Sequence, residues 1–393
     1  MRSRCSNGWP IRPGTDAVAF NSAKSAQPTS SGALSLITLM QEPQRFVRLS
    51  LHEWDTVLRL ARAANLLGRV ARTITQAGLA ADLPAPVQRH LTSVRRLTEH
   101  QQQAIRWECA HLALALEPLG IPVVLLKGAA YAMAEHGAGQ GRLFGDVDLL
   151  VPQASLNAVE AALMLHGWSA GPVDPYDQHY YRRWMHEIPP MTNIKRGTVV
   201  DVHHNILPLS SGQAPDAAAL IAASLDIKGS MFRTLSPFDM VIHSATHLFH
   251  EGQLKNGLRD LYDLDALLGS LAANDPGCWP QLIARALELK LVWPVFLALR
   301  YTQRLLDTAV PPAAMAEAAR AAALRPWRLA LFDAIYLRAL APDHALLASP
   351  AIRLARSALY LRGHALRMPA GRLALHLGRK AWLRLFKHTS RAV

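Results

Sequence analysis

A block of strand-like segments near residues 120–205 interrupts a sequence that is otherwise patterned for helices. It opens with the apolar run Val123-Val-Leu-Leu, which has the length and composition of a buried strand. A second strand is predicted over 146–151, and a third over 198–206, where β-branched residues alternate. The sequence therefore predicts an α+β fold, with a small mixed β-sheet core embedded between helical N- and C-terminal regions.

The helical patterns on either side of this block set the expected domain boundaries. Apolar residues recur at three- and four-residue steps before the block and again after about residue 216. Residues 1–40 begin with a stretch rich in Ser, Pro, Gly and Asn, and we expect a disordered leader or a mispredicted start. The predicted units that follow are a helical subdomain (45–118), the α/β core (119–212), a helical domain (216–345) and a basic amphipathic tail (350–393).

Composition restricts the class of protein. Half of the 393 residues are hydrophobic, which is enough for a sizeable core, but no uncharged apolar run reaches the 18 residues that a transmembrane helix needs. The three cysteines are far apart in sequence and lack the Cys-x-x-Cys spacing of a zinc site or a redox pair. We therefore expect a cytoplasmic protein.

Positive charge is concentrated at the C-terminus. Residues 351–393 contain ten Lys and Arg residues and no Asp or Glu. Such a segment could lie on an anionic membrane, contact nucleic acid, or form a solvated basic helix packed on the helical domain. The membrane alternative would make the protein peripheral at the inner membrane face.

Three carboxylates are the candidate catalytic and metal-binding groups. Asp146 and Asp148 alternate along the second predicted strand, so their side chains share a face and repel each other unless a cation lies between them. Mg²⁺ or Mn²⁺ suits such oxygen ligands, whereas the alternative is a pair of strand-end residues facing solvent. Asp201 lies between two valines of the third strand, where a further metal ligand or general base is expected.

The chain resembles a known family at three motifs. They are Val124-Leu-Leu-Lys-Gly-Ala-Ala-Tyr, Arg142-Leu-Phe-Gly-Asp-Val-Asp-Leu-Leu-Val and Val200-Asp-Val-His-His. Over about 45–305 the sequence is similar to the uncharacterised bacterial nucleotidyltransferases of the DNA polymerase beta-like superfamily. Superfamily members usually carry Gly-Ser or Gly-Gly after the first strand, whereas this chain has Lys127-Gly128.

The resemblance implies an enzyme that uses divalent metal. It would move a nucleotidyl group from a nucleoside triphosphate such as ATP to an acceptor hydroxyl, with release of pyrophosphate, and its metal triad maps onto Asp146, Asp148 and Asp201. The acceptor could be a small molecule, a protein or a nucleic acid. The alternative functions are a non-catalytic nucleotide-binding protein and a membrane-surface accessory protein on the same fold.

Four further residues are candidates for contact with the nucleotide. Gly128 would let the backbone approach a phosphate, and Lys127 and Arg142 would bind phosphate oxygens. The alternatives are a solvent-exposed lysine and an arginine paired with Asp146 or Asp148. His203 shares the face of Asp201 and is predicted to orient that carboxylate or to contact substrate.

Weaker patterns leave alternatives open. His243, His247 and His250 have a helical spacing that can bind zinc, but histidines of the core are favoured over a metal site. Asp260 and Asp263, which follow Arg259 in sequence, form surface ion pairs or line an acceptor pocket. The aromatic and basic stretch 174–186 is either a substrate loop or a covering hairpin.

Overall fold

Helices form most of this computed structural model, which describes residues 31–171, 186–209, 212–250 and 252–367. The helices before the end of the sheet are α1 (Ser31–Gln41), α2 (Leu51–Ala63), α3 (Leu67–Gln76), α4 (Ala85–Leu116), α5 (Lys127–Met133), α6 (Leu156–Leu165) and α7 (Ala217–Ala222). Those after it are α8 (Pro237–His250), α9 (Gly257–Asn274), α10 (Cys278–Glu288), α11 (Val292–Leu306), α12 (Pro312–Ala322), α13 (Pro326–Ala339) and α14 (Pro350–Arg367).

A mixed sheet of seven strands lies between the helical regions, as the predicted α+β class requires. The strands are β1 (Val124–Leu125), β2 (Val147–Leu150), β3 (Trp168–Ala170), β4 (Met191–Asn193), β5 (Val199–His203), β6 (Leu225–Asp226) and β7 (Arg233–Thr234). Their order is β3-β4-β5-β2-β1-β7-β6. β2 runs parallel to β5 and antiparallel to β1, which places β2 and β5 in the middle of the sheet.

The sheet is larger than the three strands predicted. β6 and β7 extend it past residue 212, the predicted end of the core, into a region that was expected to be helical. Each has only two residues, too few to produce a recognisable alternation of apolar and polar positions. The sequence therefore underestimates this edge of the sheet.

The N-terminal helices belong to the same apolar core as the sheet. Helix α2 begins with a capping box, in which Ser50 accepts a hydrogen bond from the Glu53 amide and Glu53 accepts one from the Ser50 amide. Helix α1 buries Leu36, Ile37 and Leu39 in this core. The part of the expected leader from residue 31 onward is thus helical and packed, while residues 1–30 lie outside the described residues.

The region after the sheet is helical, with one difference from the sequence pattern. Two helices, α10 and α11, cover residues 278–306, where the apolar pattern alone indicates a single helix. Between them Lys290 has a φ of 60°, a left-handed conformation that ends a helix. Apolar periodicity continues across this break, so it does not reveal the turn.

The first part of the basic tail packs on the helical domain. In α14 the Arg362 guanidinium lies 4.4 Å from the ring centre of Trp293 and donates a 2.8 Å hydrogen bond to the Phe249 carbonyl. Residues 350–367 therefore match the packed-helix alternative, and 368–393 lie outside the described part of the chain. Within the described residues we find no helix that is both long and apolar enough to cross a bilayer.

Candidate metal centre

The three predicted carboxylates meet at the centre of the sheet. β2 and β5 pair in parallel with Asp148 directly opposite Asp201, so the two side chains project from one face. Asp146 immediately precedes β2, one residue before the observed start of the strand. One oxygen from each carboxylate lies within 4.8 Å of the other two. We call these three residues the carboxylate triad.

Asp201 carries an unsatisfied oxygen. Its Oδ1 atom is buried, and the described residues provide it with no hydrogen-bond partner. Burial, followed by the charges of Asp148 and Asp146, raises the pKa of Asp201 to about 7. A buried oxygen without a donor is costly, so this atom suits a cation or a proton from substrate.

Asp148 is held in its ionised form. It is 4% exposed, and its Oδ1 atom lies 3.0 Å from both Lys127 Nζ and His203 Nε2. Burial alone would raise the pKa of Asp148, but Lys127 and His203 hold it well below its ordinary range. Asp148 is therefore a permanent negative charge in the triad.

Lys127 lies beside the triad as the first residue of α5, just after β1. Its φ of 45° is left-handed, and its side chain is 22% exposed with Nζ paired to Asp148. Burial alone would lower the pKa of Lys127, but the negative charge of Asp148 raises it. The ammonium group is thus charged and reaches the triad, instead of extending into solvent.

Arg142 has a partner that the sequence does not predict. Its Nε atom donates a 3.0 Å hydrogen bond to Asp263 Oδ2, and its side chain is only 7% exposed. The guanidinium also lies 5.5 Å from the ring centre of Phe144. Arg142 therefore pairs with Asp263 in the interior, and not with Asp146 or Asp148.

Arg142 belongs to a buried cluster that also contains Arg69 and Asp263. Arg69 donates to the other oxygen of Asp263 and, at 2.6 Å, to the Ala138 carbonyl. We call Arg69, Arg142 and Asp263 the arginine cluster. It ties α3 and α9 to the segment that leads into Asp146. Asp263 is therefore buried and accepts hydrogen bonds from two guanidinium groups, and it is not a surface partner of Arg259.

The arginine cluster explains why residue 128 is a glycine. A Cβ atom at Gly128 would overlap the Arg142 guanidinium and lie 2.9 Å from the Phe144 ring. The residue therefore lets α5 pack against Arg142, which is a different reason for glycine from the predicted approach of a phosphate.

Glu187 is a functional candidate that the sequence reasoning missed. His203 orients Asp148 through Nε2, not Asp201 as predicted, because its side chain reaches diagonally across the paired strands. Its Nδ1 atom lies 3.1 Å from Glu187 Oε2. Glu187 forms an isolated bridge with His203 after a stretch that has no strand pattern, so no periodicity marks it.

The remaining histidine pattern belongs to the interior behind the triad. Burial, followed by the charge of Lys127, lowers the pKa of His243 to about 3, and the same two causes hold that of His247 well below its ordinary value. The metal-ligand groups found among the described residues do not include His243, His247 or His250. Of the stretch 174–186, only His186 is described.

Comparison with known proteins identifies the family of this chain. A family model described as uncharacterised nucleotidyltransferase matches residues 50–307, which is more than half of the chain and includes the whole triad. No curated protein and no solved structure matches the chain. The resemblance at the three motifs is thus confirmed at the level of the family, and this chain belongs to the uncharacterised nucleotidyltransferases.

Proposed function

We propose that the protein transfers a nucleotidyl group from a nucleoside triphosphate to an acceptor hydroxyl, with Mg²⁺ or Mn²⁺ held by the carboxylate triad. One observation carries the proposal. Asp146, Asp148 and Asp201 bring oxygens within 4.8 Å of one another, and a buried oxygen of Asp201 has no donor among the described residues. The family supports a transferase, and the triad supports where its chemistry takes place.

The triad fits a hard divalent cation. All of its ligand atoms are carboxylate oxygens, which Mg²⁺ and Mn²⁺ prefer over the nitrogen and sulfur ligands that favour zinc or copper. Three carboxylates also gather more negative charge than Lys127, their neighbouring ammonium group, neutralises. When bound, such an ion neutralises triphosphate charge and lowers the pKa of a coordinated hydroxyl.

The chain's own residues then have separate tasks. Asp201, which has an oxygen with no donor among the described residues, accepts the proton of the acceptor hydroxyl. The acceptor oxygen forms a bond to the α-phosphorus as the bond from that phosphorus to the bridging oxygen of the β-phosphate breaks, and pyrophosphate leaves. Asp148 stays ionised throughout, because Lys127 and His203 hold its pKa low.

Lys127 supplies the positive charge for the triphosphate in this proposal. Its ammonium group has three donors, and one of them is used by Asp148 at 3.0 Å. The side chain is partly exposed, so the remaining donors can bind phosphate oxygens. Arg142 has no part in this step, since Asp263 holds its guanidinium in the interior.

The proposal is tested by following nucleotidyl transfer directly. The full-length protein is incubated with each α-labelled triphosphate, Mg²⁺ and pools of small-molecule, protein and nucleic-acid acceptors, and both pyrophosphate release and labelled product are measured. We expect Asp146→Asn and Asp201→Asn to reduce transfer by about 10³-fold or more, the scale of losing a charge-stabilising group in phosphoryl transfer.

The matched control is Asp55→Asn, which changes a carboxylate that is 56% exposed and paired with Arg59 on the surface. Transfer by this variant should equal that of the wild type. Transfer that persists undiminished in Asp146→Asn and Asp201→Asn would contradict the proposal. Tight triphosphate binding without turnover in any acceptor pool would instead favour a nucleotide-binding protein.

A further inference from the structure

A second group of potential metal ligands adjoins the carboxylate triad on the far side of the His203 ring. One ligand atom each from His186, Glu187 and His203 lies within 4.8 Å of the other two. The rings of His186 and His203 stack with their centres 5.3 Å apart. This group contains two imidazoles and one carboxylate, whereas the triad contains carboxylates alone.

The two nitrogens of His203 serve the two groups separately. Nε2 lies 3.0 Å from Asp148, and Nδ1 lies 3.1 Å from Glu187. In the neutral ring, a proton on Nε2 that is donated to Asp148 leaves the Nδ1 lone pair facing the Glu187 carboxylate, which is a repulsive contact. A cation between Nδ1 and Glu187 removes that repulsion. Donation from the other ring nitrogen to a carboxylate is also the usual way in which a metal-bound histidine is oriented.

Access to this group is intermediate between core and surface. The His203 side chain is 6% exposed and that of Glu187 is 20% exposed, so one ligand is anchored in the sheet and another borders solvent. Three protein ligands with room for water match the pattern of zinc sites that keep an open coordination position. Nitrogen donors favour Zn²⁺ over Mg²⁺, which prefers oxygen.

We propose that His186, Glu187 and His203 form a second cation site that binds Zn²⁺, next to but chemically distinct from the carboxylate triad. The proposal does not depend on nucleotidyl transfer, because the preference of the site for Zn²⁺ follows from its two imidazole ligands. His203 joins the two sites, with one ring nitrogen on each.

The site is tested by metal binding, without an activity assay. Tag-free full-length protein is stripped with a chelator and dialysed against Zn²⁺ in the presence of excess Mg²⁺, and bound zinc is counted by elemental mass spectrometry. The wild type should retain one Zn²⁺ per chain, and X-ray absorption should show two imidazoles around it. His186→Ala and Glu187→Gln should each lower the affinity by more than about 10–100-fold, the cost of losing only an outer partner of a ligand.

Two control variants separate this site from its surroundings. Asp201→Asn alters the triad and should keep zinc affinity within a few-fold of the wild type. His166→Ala removes an exposed histidine whose ring contacts the Ala162 carbonyl of its own helix, and it should have no effect. Circular dichroism checks that each variant is folded. If His186→Ala does not fold, the X-ray absorption spectrum of the wild type identifies the ligands.

Three results would overturn the proposal. The first is a wild type that retains no zinc in excess Mg²⁺. The second is an equal loss of zinc in Asp201→Asn and Glu187→Gln, which would place the ion in the triad. The third is an X-ray absorption spectrum with oxygen ligands alone.

Discussion

The carboxylate triad and the arginine cluster both bring charged side chains together but differ in how their carboxylate oxygens are satisfied. In the arginine cluster each oxygen of Asp263 accepts from a guanidinium group, and the Asp263 side chain is 3% exposed. In the triad the Lys127 ammonium group pairs with Asp148, and Asp201 Oδ1 is left without a donor among the described residues. A cluster in which both carboxylate oxygens have donors stabilises the fold, whereas one with surplus negative charge is built to receive a cation.

The two clusters lie back to back across Gly128. The Arg142 guanidinium occupies the space that a side chain at Gly128 would fill, and Lys127 at the same turn reaches Asp148. Arg69 also holds the Ala138 carbonyl, in the segment between α5 and Asp146. The arginine cluster therefore fixes the backbone that carries Lys127 and Asp146.

The largest expected effect on stability comes from breaking the arginine cluster. Asp263→Asn leaves two buried guanidinium groups without the carboxylate that pairs with both, and we expect a loss of about 3–5 kcal/mol in the free energy of unfolding, measured with denaturant. Asp333→Asn is the matched control, because Asp333 also joins two arginines but is 18% exposed. A loss in Asp263→Asn no larger than that in Asp333→Asn would show that burial does not distinguish the two.

A smaller loss of stability is expected at Gly128, where the two clusters touch. Gly128→Ala places a methyl group against Arg142 and Phe144, and overpacking of this kind costs about 1–3 kcal/mol. Gly269→Ala serves as control, since its Cβ would meet no atom within 4 Å in the middle of α9, and it should stabilise by about 0.5–1 kcal/mol. Changes in unfolding free energy, relative to the wild type, that have the same sign in both variants would contradict the close packing at Gly128.

Removing a carboxylate from the triad should stabilise the fold, whereas removing the carboxylate of the arginine cluster should destabilise it. Asp201→Asn removes a half-buried negative charge that faces two others, so without metal at pH 8 it should stabilise the fold. Each unit of raised pKa corresponds to about 1.4 kcal/mol, and partial exposure reduces this, so we expect a gain of about 1–2 kcal/mol. The gain should shrink as pH falls below about 7, because folded wild type then protonates Asp201 and loses the repulsion. A destabilised Asp201→Asn protein at pH 8 would refute the surplus of charge.

Proton release should accompany metal binding at the triad, and this is the smallest effect we predict. Because the pKa of Asp201 is about 7, a cation that binds below this pH must displace its proton. Mg²⁺ affinity should therefore fall by up to about tenfold per pH unit below 7 and stay level above it. Calorimetry in buffers of different ionisation enthalpy measures the protons released, and a pH-independent affinity between 6 and 8 would count against the raised pKa.

The sequence was informative where a local period determines the geometry. Alternation along one predicted strand placed Asp146 and Asp148 on the same face, and the parallel register of β2 and β5 brings Asp148 opposite Asp201. A partner far away in sequence leaves no such period. Asp263 follows Arg142 by 121 residues, and only packing of α9 against the core makes them neighbours. Glu187 was missed for a related reason, since its strand pairing is a single bridge.

The central claim, that the triad holds a divalent cation, is tested most directly by Mn²⁺ binding. Mn²⁺ is titrated into metal-free full-length protein, the free ion is followed by electron paramagnetic resonance, and the fraction displaced by Mg²⁺ is assigned to the oxygen site. We predict a Mg²⁺-displaceable Mn²⁺ site in the wild type, weakened by about tenfold or more in Asp146→Asn and Asp201→Asn and unchanged in Asp55→Asn. Identical titrations of the wild type and the Asp201→Asn variant would contradict it.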